Sequence, residues 1–368
     1  MKQPSVVRYA VVGLGHISQV AVLPAFATAG PRSRLTMLFS DDKLKRAELA
    51  RRYGVPALPY ESFDAALRSG TFDAVYIALP NSLHKSFAVR AAEAGIHVLC
   101  EKPLASTSPD ARAMVEAAHR GKALLMTAYR LHFEHATLLA LRTVRSGRIG
   151  EPRYFHSAFS GSVKAGDIRL KAALGGGALW DLGVYCVNAA RNLFGANPTE
   201  ATAMCERGAD PRFREVDEMT AGILRFPRRR IACFVCNQGA ADRSFFEVVG
   251  TRGVVRAEPA FEYAEGLSLR ITVDGEEILR QDAPKRGQFA AELSYFSDCV
   301  RAGRTPEPSG EEGLIDVKII ESLYMSAHTG RAIPLRNFPR DPRPTARQDI
   351  RRPAHKSPPL VHAAAAHA

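Results

Sequence analysis

Five short apolar runs alternate with helix-compatible stretches over the first 130 residues. Continuous apolar strands that alternate with helices are typical of a parallel sheet covered by helices on both faces. One helical stretch, 42–54, ends at Gly54, and another begins with Ser108 as its N-cap. The pattern predicts an α/β fold, a doubly wound parallel sheet of the Rossmann type. The five runs are 7–12, 34–40, 72–80, 96–101 and 123–128.

The turn after the first run reads G-L-G-H-I-S, a dinucleotide-binding fingerprint with serine at the third glycine position. Gly13 permits the tight turn, and Gly15 lets the backbone approach a pyrophosphate at the helix N-terminus. We expect His16 and Ile17, which open that helix, to contact the cofactor as well. A strand before the turn and a helix after it supply the context that this motif requires.

The residues after the second run bear on which dinucleotide is bound. NAD sites usually place an acid there for the ribose diol, whereas NADP sites avoid it and add cations. Here Ser40 is followed by two aspartates and then by Lys45 and Arg46. The hydroxyl and the two cations favour the 2′-phosphate of NADP, and the aspartates leave NAD open.

Length and charge suggest two domains and a separate tail. A chain of 368 residues exceeds the usual size of one compact core. The net charge is +12, and the basic, proline-rich stretch 337–368 contributes to it before ending in VHAAAAHA. This composition predicts a disordered tail. Because no aromatic residues interleave with its charges, we expect neither nucleic acid nor a membrane as a partner.

The cysteines and the N-terminal sequence predict a cytoplasmic protein. Of six cysteines, only Cys233 and Cys236 are close in sequence, and on a strand they would point to opposite faces. Scattered thiols are typical of a reducing compartment. Arg8, His16 and Gln19 interrupt any signal-peptide core, and no run reaches the ~18 apolar residues of a membrane span.

Several longer motifs resemble one family. A P-N-x-x-H segment at 80–84 leads to a strand that ends in E-K-P at 101–103, and GGGALWDLGVYCVN follows at 175–188. These residues resemble the signatures of the Gfo/Idh/MocA oxidoreductases, and the match continues through 129–134, 246–259 and 301–335. Tyrosine at position 185, where most members have histidine, resembles the branch of glucose–fructose oxidoreductase, dimeric dihydrodiol dehydrogenase and NADP-dependent D-xylose dehydrogenase.

The resemblance implies a domain organisation. Residues 1–130 would form the Rossmann domain, and 131–336 an α/β domain with a large, open, mainly antiparallel sheet that binds substrate. An uncovered sheet face has to be buried, so a homodimer or homotetramer is expected through it. The strand-like runs of this second part are 152–160, 199–206, 219–226, 230–238, 244–249, 253–257 and 267–273.

The resemblance also implies catalytic roles. Ligands bind beyond the carboxyl ends of parallel strands, which would place Lys102 beside the nicotinamide and the reacting carbon, with Glu101 near the nicotinamide ribose. The Lys102 ammonium would stabilise negative charge on the substrate oxygen. Asp181 and Tyr185 share a helix face at i, i+4 spacing. Tyr185 would act as general acid/base, its phenolate favoured by Lys102, and Asp181 would orient substrate hydroxyls.

Other candidates have structural alternatives. Asn81 either caps a helix or binds the nicotinamide ribose, and His84 is a structural histidine or a site residue. Trp180 and Phe155 could line the substrate pocket, and Trp180 could equally fill the core. No histidine forms a convincing metal cluster with nearby acids or cysteines, so no metal is predicted. The remaining expected cofactor contacts are Leu79, Pro80, Tyr129 and Arg130.

These features predict an NADP-dependent sugar dehydrogenase. It would oxidise the C1 hydroxyl of an aldose such as D-xylose or D-glucose to the lactone. Three alternatives remain: coupled sugar oxidation and reduction as in glucose–fructose oxidoreductase, a non-catalytic NADP-sensing regulator, and NAD-dependent glycosidase chemistry. Together, Lys102, Asp181 and Tyr185 argue against the sensor, which needs a cofactor site but no acid–base set.

Overall fold

The structure is a computed structural model that describes residues 4–338 and 343–365. The chain folds into two compact units. Unit 1 contains the described residues of Met1–Arg130, Gly287–Leu314 and Ile350–Ala366, and unit 2 contains those of Leu131–Arg286 and Ile315–Asp349. This division differs from the predicted 1–130, 131–336 and 337–368 because two later segments return to unit 1.

The described residues form the following strands and helices in chain order. The strands are β1 (Val7–Val12), β2 (Ser33–Phe39), β3 (Ala57–Leu58), β4 (Ala74–Ile77), β5 (His97–Glu101), β6 (Leu125–Ala128), β7 (Pro152–Ser160), β8 (Glu200–Glu206), β9 (Met219–Phe226), β10 (Arg230–Asn237), β11 (Arg243–Gly250), β12 (Gly253–Ala257), β13 (Ser268–Val273), β14 (Glu276–Asp282) and β15 (Ile333–Pro334). The helices are α1 (Leu23–Ala25), α2 (Lys43–Tyr53), α3 (Phe63–Leu67), α4 (His84–Glu93), α5 (Ser108–Gly121), α6 (His135–Arg145), α7 (Val184–Phe194), α8 (Gln288–Ala302) and α9 (Gly310–Thr329).

Unit 1 contains a six-stranded parallel sheet in the order β3-β2-β1-β4-β5-β6. Strand order reverses at β1, so the fingerprint turn after β1 lies at the switch point where such sheets bind ligands. The predicted Rossmann-type sheet is therefore confirmed.

Local sequence signals set the helix ends in unit 1. Asp42 caps α2 by accepting a hydrogen bond from the Lys45 backbone nitrogen at 3.0 Å, and Gly54 ends it in the left-handed region at φ 65°. The cap of α5 is Thr107, which accepts from Asp110 N at 3.2 Å, one residue before the predicted Ser108. Threonine and serine both supply the side-chain oxygen that an N-cap needs, so the sequence pattern does not decide between Thr107 and Ser108.

Helix α8 belongs to unit 1 because it packs against its first two strands. The hydroxyl group of Tyr9 in β1 lies 2.8 Å from that of Ser297 in α8, and Ser33 of β2 lies 2.7 Å from the same oxygen. All three side chains are buried. A helix from late in the chain thus completes the core of the nucleotide-binding fold.

Unit 2 is built on a nine-stranded sheet in the order β14-β13-β12-β11-β7-β10-β9-β8-β15. Only the β7–β10 pair is parallel. Helix α7 packs against β7, and α6 packs against β12 and β13. The large, mainly antiparallel sheet implied by the family resemblance is confirmed.

The face of this sheet that does not pack against α6 and α7 has exposed apolar side chains. Strand β9 alternates exposed and buried residues throughout its eight positions. Cross-strand pairing places Met204, Ala221, Val235 and Ala158 in one row and Ile223 in the next. Met204 is 70% exposed and Ile223 51%. These side chains form an exposed apolar patch on the sheet.

A buried ion pair joins α7 to α9 within unit 2. The guanidinium of Arg191 lies 2.5 Å from Asp316, and both side chains are fully buried. Asn188 donates to the second carboxylate oxygen of Asp316 at 2.8 Å. Such a pair is stable only when both partners and their hydrogen bonds are present.

Two helices begin with a π-helical turn. The first, Ser18–Val22, follows the fingerprint and continues into α1, and the second, Leu179–Gly183, continues into α7. Each wide turn contains or adjoins candidate site residues. Turns of this kind occur often at functional sites.

The residues from Ile350 to 365 pack on unit 1, which differs from the predicted disordered tail. Gly287 donates its backbone hydrogen to Arg352 O at 3.0 Å, and Arg352 donates to Ser294 Oγ at 2.7 Å. Composition indicates that the segment lacks an apolar face of its own, but it does not reveal hydrogen-bond partners on another surface. Among the described residues, no helix is both long and apolar enough to cross a membrane.

Candidate active site

The fingerprint turn has the geometry of a pyrophosphate cradle. Gly13 adopts φ +94°, and a β-carbon there would lie 2.4 Å from the carbonyl oxygen of Ala78. Apart from Gly15 itself and its two neighbours in the chain, no described atom lies within 4 Å of the position of a β-carbon on Gly15. Ser18 donates its hydroxyl hydrogen to Gly13 O at 2.5 Å, which closes the turn onto the helix. Ser18, at the third glycine position of the fingerprint, therefore stabilises the turn through this hydrogen bond.

The residues that open the fingerprint helix are accessible. His16 and Ile17 are half-buried, as is Gly15, whereas the flanking Leu14 and Ser18 are buried. A ligand can therefore reach this turn through a short stretch of backbone. The first turn of a helix offers free N–H groups to an anion.

The two aspartates after β2 have structural partners. Asp41 accepts a hydrogen bond from Tyr60 N at 2.9 Å, and Asp42 caps α2. The hydrogen bond from Lys45 N is the main reason that the pKa of Asp42 lies below its usual value. Lys45 Nζ lies 3.8 Å from Asp42. Because both acids hold the turn, they do not argue for a ribose diol as an isolated acid would.

A buried serine and an arginine lie beside the two aspartates at the carboxyl end of β2. Ser40 is buried at the end of β2, and Arg46 donates to Ser40 O at 2.6 Å. The guanidinium is thereby held where the second strand ends. Cations beside this strand end suit a phosphate better than a diol.

His84 joins the loops that follow β4 and β5. Its Nε2 lies 2.9 Å from Leu79 O, and its Nδ1 lies 3.1 Å from Pro103 O. The side chain is fully buried, and burial lowers its pKa. Since both ring nitrogens face backbone carbonyls, His84 fits the structural alternative: it positions the loop that contains Lys102.

Asn81 begins a short 3₁₀ turn, Asn81–Leu83, and Pro80 occupies the cap position before it. Asn81 is therefore inside the turn rather than the cap that sequence spacing suggested. Leu79 is nearly buried and Pro80 half-buried. This short connection lies at the carboxyl end of β4, the strand next to β1.

Hydrogen bonds link Tyr76 of β4 with Glu101 at the end of β5 and with Glu292 of α8. Tyr76 donates its hydroxyl hydrogen to Glu101 at 2.8 Å, and Glu292 of α8 lies 3.4 Å from the same phenol oxygen. Burial raises the pKa of both carboxyl groups, and that of Glu292 lies well above its usual value. A protonated Glu292 can donate to Tyr76. Its other oxygen, Oε1, is buried without a hydrogen-bond partner among the described residues.

Lys102 follows Glu101 directly and is half-buried at the carboxyl end of β5. The neighbouring strand β6 leads to Tyr129 and Arg130, both of which are almost completely buried. Arg130 donates to Gln288 of α8 at 2.6 Å. Unit 1 therefore places the lysine and Arg130 after adjacent strands, at the sheet edge where ligands bind.

In unit 2, two polar side chains converge on one carboxylate oxygen. Asp181 Oδ2 accepts from Arg169 Nε at 2.9 Å and from Gln238 Nε2 at 3.0 Å. Arg169 also pairs with Asp167. Burial would lower the pKa of Arg169, but the charges of Asp181 and Asp167 outweigh it and raise the pKa. Asp181 is thus held as a carboxylate in a fixed orientation.

Gln238 adds an acceptor to this cluster. The residue is fully buried, and its Oε1 has no hydrogen-bond partner among the described residues. A buried amide oxygen of this kind is costly unless a ligand or water pairs with it. Because this oxygen is closed to solvent, the partly exposed Asp181 carboxylate is the group of the cluster that a ligand hydroxyl can reach.

Tyr185 lies one turn after Asp181 and is mostly buried. Its ring packs edge-on against Phe159, with centroids 5.5 Å apart, and lies 6.1 Å from the ring of Phe261. The aromatic side chains fix the plane of the Tyr185 ring.

The two aromatic residues predicted to line a pocket are placed differently. Phe155 is fully buried and stacks on Phe246, which is a core position and closed to substrate. Its neighbour on the same face, Phe159, contacts Tyr185 instead. Trp180 is half-buried and lies 5.9 Å from the ring of Tyr324. The alternation of strand residues could not tell Phe155 from Phe159, because both point to the same face.

Sequence reasoning missed five residues of these clusters. Arg169 lies in the 3₁₀ turn Ile168–Leu170, and no motif marks its position in the sequence. The others come from elements far apart in the chain, and no local pattern marks them. They are Tyr76, Phe159, Gln238 and Glu292.

Two family models match the two parts of the chain. The model described as "Oxidoreductase family, NAD-binding Rossmann fold" matches residues 7–129, and the model of the GFO/IDH/MocA C-terminal domain matches residues 137–256. The chain belongs to the Gfo/Idh/MocA oxidoreductase family. The family resemblance and the oxidoreductase class predicted from sequence are confirmed.

Several relatives of this Gfo/Idh/MocA protein have named activities. It is 34% identical over 338 residues to D-xylose 1-dehydrogenase [NADP(+)] of Haloarcula marismortui, covering 89% of this chain and 93% of the relative. It is 32% identical over 300 residues to dTDP-3,4-didehydro-2,6-dideoxy-alpha-D-glucose 3-reductase of Streptomyces antibioticus, covering 80% of this chain and 89% of the relative.

A solved structure of the same family agrees closely with this one. The aldose-aldose oxidoreductase from Caulobacter crescentus, complexed with glycerol, superposes with a TM-score of 0.86 at 36% identity. The match covers 90% of this Gfo/Idh/MocA chain and 100% of that chain.

Proposed function

We propose that this protein is an NADP-dependent sugar dehydrogenase that oxidises the C1 hydroxyl of an aldose, D-xylose or D-glucose, to the lactone. The observation on which this rests is the cluster in unit 2, where Arg169 and Gln238 hold the partly exposed carboxylate of Asp181 in one orientation. Such a cluster suits a polyhydroxylated substrate. The names of the D-xylose dehydrogenase and the aldose-aldose oxidoreductase support a sugar substrate.

The residues of unit 1 fit a dinucleotide. The open space at Gly15, the constrained Gly13 and the cations after β2 suit a pyrophosphate and a 2′-phosphate. When bound, NADP accepts the hydride that leaves the sugar carbon. The residues proposed to hold it are Gly13, Gly15, His16, Ile17, Ser40, Lys45, Leu79, Pro80, Asn81, Glu101, Lys102, Tyr129 and Arg130.

Three residues have proposed roles in the oxidation. Tyr185 takes the proton of the C1 hydroxyl group as general base, and Lys102 stabilises the oxygen as it becomes negative. Asp181 accepts hydrogen bonds from other hydroxyl groups of the sugar and so orients it. The sugar loses one proton and one hydride, which balances the conversion of a hemiacetal to a lactone.

The test measures reduced-nicotinamide absorbance with NADP or NAD against a panel of aldoses. We expect turnover that prefers NADP. Tyr185→Phe should lower kcat by about 10²- to 10⁴-fold, the usual contribution of a general acid–base group. Lys102→Ala should lower it by about 10²- to 10³-fold, as for loss of one charge-stabilising group. Tight NADP binding without turnover on any sugar would contradict the proposal and favour the NADP-sensing regulator.

A coupled reaction between two aldoses is the second candidate, favoured by the likeness to the aldose-aldose oxidoreductase. In that case protein purified with its bound cofactor would convert an aldose pair to a lactone and an alditol without added NADP. Chromatographic detection of both products distinguishes this reaction from a simple dehydrogenase, which requires stoichiometric NADP.

We further propose that a second copy of this chain covers the exposed face of the unit 2 sheet. The apolar row around Met204 and the exposed Ile223 support this, because a water-exposed apolar face of this kind favours self-association. Light scattering after gel filtration should give a dimer or tetramer, and Ile223→Glu should shift it toward monomer. Leu44→Glu, an equally exposed position on α2, should leave the mass unchanged.

A cytoplasmic location is also proposed. All six cysteines are free thiols, and Cys100, Cys186, Cys236 and Cys299 are buried. Free thiols support a reducing compartment. Fractionation of the source cells with an antibody against the protein would test the location.

A further inference from the structure

The C-terminal segment runs along the fingerprint helix of unit 1. His355 Nε2 lies 3.1 Å from Val20 O, and Ser357 donates to the same carbonyl oxygen at 3.2 Å. Further along, Arg52 of α2 donates to Pro359 O at 2.9 Å. The segment therefore contacts both helices that follow the first two strands of the nucleotide-binding sheet.

Gln19 ties the segment to the fingerprint itself. Its amide group donates to Val361 O at 2.9 Å and accepts from Val361 N at 2.7 Å. The same amide nitrogen donates to Leu14 O, between the two glycines of the fingerprint, at 3.0 Å. Gln19 is fully buried, so its side chain depends on these partners. The tail and the pyrophosphate turn are thus joined through one side chain.

The segment reaches the residues that follow β2. His362 Nδ1 lies 2.6 Å from Asp42 Oδ2, the carboxylate that also caps α2 and lies 3.8 Å from Lys45 Nζ. The His362 side chain is 69% exposed, so a ligand can reach it. With Nδ1 directed at Asp42, Nε2 is the ring nitrogen that can meet a ligand oxygen.

We propose that the segment 355–362 is part of the cofactor site and that His362, with Lys45, binds the 2′-phosphate of NADP. The proposal rests on the proposed function, since it specifies how that cofactor is selected. The adenosine ribose of a dinucleotide lies between the fingerprint turn and the end of the second strand. Gln19 follows the fingerprint turn and Asp42 follows the end of β2, and the segment 355–362 contacts both residues. A phosphate there would meet an imidazole and an ammonium group held by one carboxylate.

The test is the binding of NADP, NAD and 2′,5′-ADP to the full-length protein, measured by calorimetry. His362→Ala should weaken NADP and 2′,5′-ADP binding by about threefold to tenfold and leave NAD binding unchanged, as expected for loss of one charge-assisted contact. Arg351→Ala is the matched control, because it removes an exposed cation from the same tail but outside the segment 355–362. It should change none of the three affinities.

Gln19→Leu provides a second test of the same idea, since it removes both bonds to Val361. We expect the tail to become sensitive to protease and NADP binding to weaken. If His362→Ala weakens NADP and NAD equally, or changes neither, the assignment of the 2′-phosphate is overturned. Normal NADP selection without sugar turnover would instead contradict the dehydrogenase reaction and leave this assignment standing.

Discussion

Arg169 donates from Nε to Asp181 Oδ2 at 2.9 Å, so the carboxylate proposed to orient the sugar is itself oriented by a half-buried cation. Gln238 donates to the same oxygen and keeps its own carbonyl oxygen unpaired among the described residues. The pair of donors fixes Asp181 before any substrate arrives. Specificity in such a site comes from hydroxyl groups that complete the hydrogen bonds.

Gln238→Met should therefore weaken sugar oxidation without disturbing the cofactor. It removes one donor to Asp181 and the unpaired acceptor while keeping a similar volume. We expect kcat/KM for the aldose to fall by about tenfold, equivalent to ~1.4 kcal/mol. Steady-state kinetics measure this, and NADP affinity should stay the same. Gln281→Met on β14 is the control, and an equal loss there would contradict the role of Gln238.

The two fingerprint glycines should respond differently to alanine. A β-carbon at Gly13 would lie 2.4 Å from Ala78 O at positive φ, so Gly13→Ala should destabilise the fold by about 1–3 kcal/mol. At Gly15 no described atom obstructs a β-carbon. Gly15→Ala should keep the stability of the wild type and weaken NADP binding at least tenfold (~1.4 kcal/mol).

Urea unfolding and calorimetric titration separate these two effects. Wild-type NADP affinity in Gly15→Ala would show that the pyrophosphate does not approach this turn. Wild-type stability in Gly13→Ala would show that the turn relaxes without cost.

Glu292 should make the stability of the fold depend on pH. Burial raises its pKa in the folded chain, so the folded state binds more protons than the unfolded state above the ordinary carboxyl range. Stability linked to this group is fully present at acid pH and is lost as pH rises toward the folded pKa. Glu292→Gln removes that loss and can still hydrogen bond to Tyr76.

Urea unfolding at several pH values between 5 and 8 measures the effect. We expect the variant to gain stability relative to the wild type as pH rises. If the free energy of unfolding changed with pH in the same way for both proteins, Glu292 would not contribute to the pH dependence of stability.

Removing one partner of the Arg191–Asp316 ion pair should lower the stability of the fold more than removing both partners. Arg191→Met leaves the buried Asp316 carboxylate without its guanidinium counter-ion and should cost about 3–5 kcal/mol. The double variant Arg191→Met, Asp316→Leu should recover part of that loss, because it removes both charges. Denaturant unfolding of the two variants decides this. A double variant less stable than Arg191→Met would contradict it.

The strands were predictable because their signals are local. Alternating or continuous apolar runs located β7 and β12 at their observed bounds, and the fingerprint was found from six adjacent residues. The edge strand β14, with charged residues along most of its length, has no apolar pattern and was missed.

The supporting residues of the site were not predictable in the same way. Glu292 meets Tyr76 across 216 positions of sequence, and Gln238 meets Asp181 across 57. No periodicity encodes such partners, since they depend on how the elements pack. The tail shows the same limit: its composition lacks an apolar face, but its contacts with Gln19 and Asp42 depend on a surface built elsewhere.

The wide turn at Leu179–Gly183 has a consequence for the evolution of this protein. A π-helical turn is an α-helix with one residue added, so a single-codon deletion within it would restore a regular helix. A deletion between Asp181 and Tyr185 would shorten their spacing from i, i+4 to i, i+3 and so change the angle between the two side chains around the helix axis. Loss of one codon here would alter the relative placement of the two side chains while leaving each residue type intact. Lineages that keep this helix are therefore expected to tolerate substitutions within the turn more readily than changes in its length.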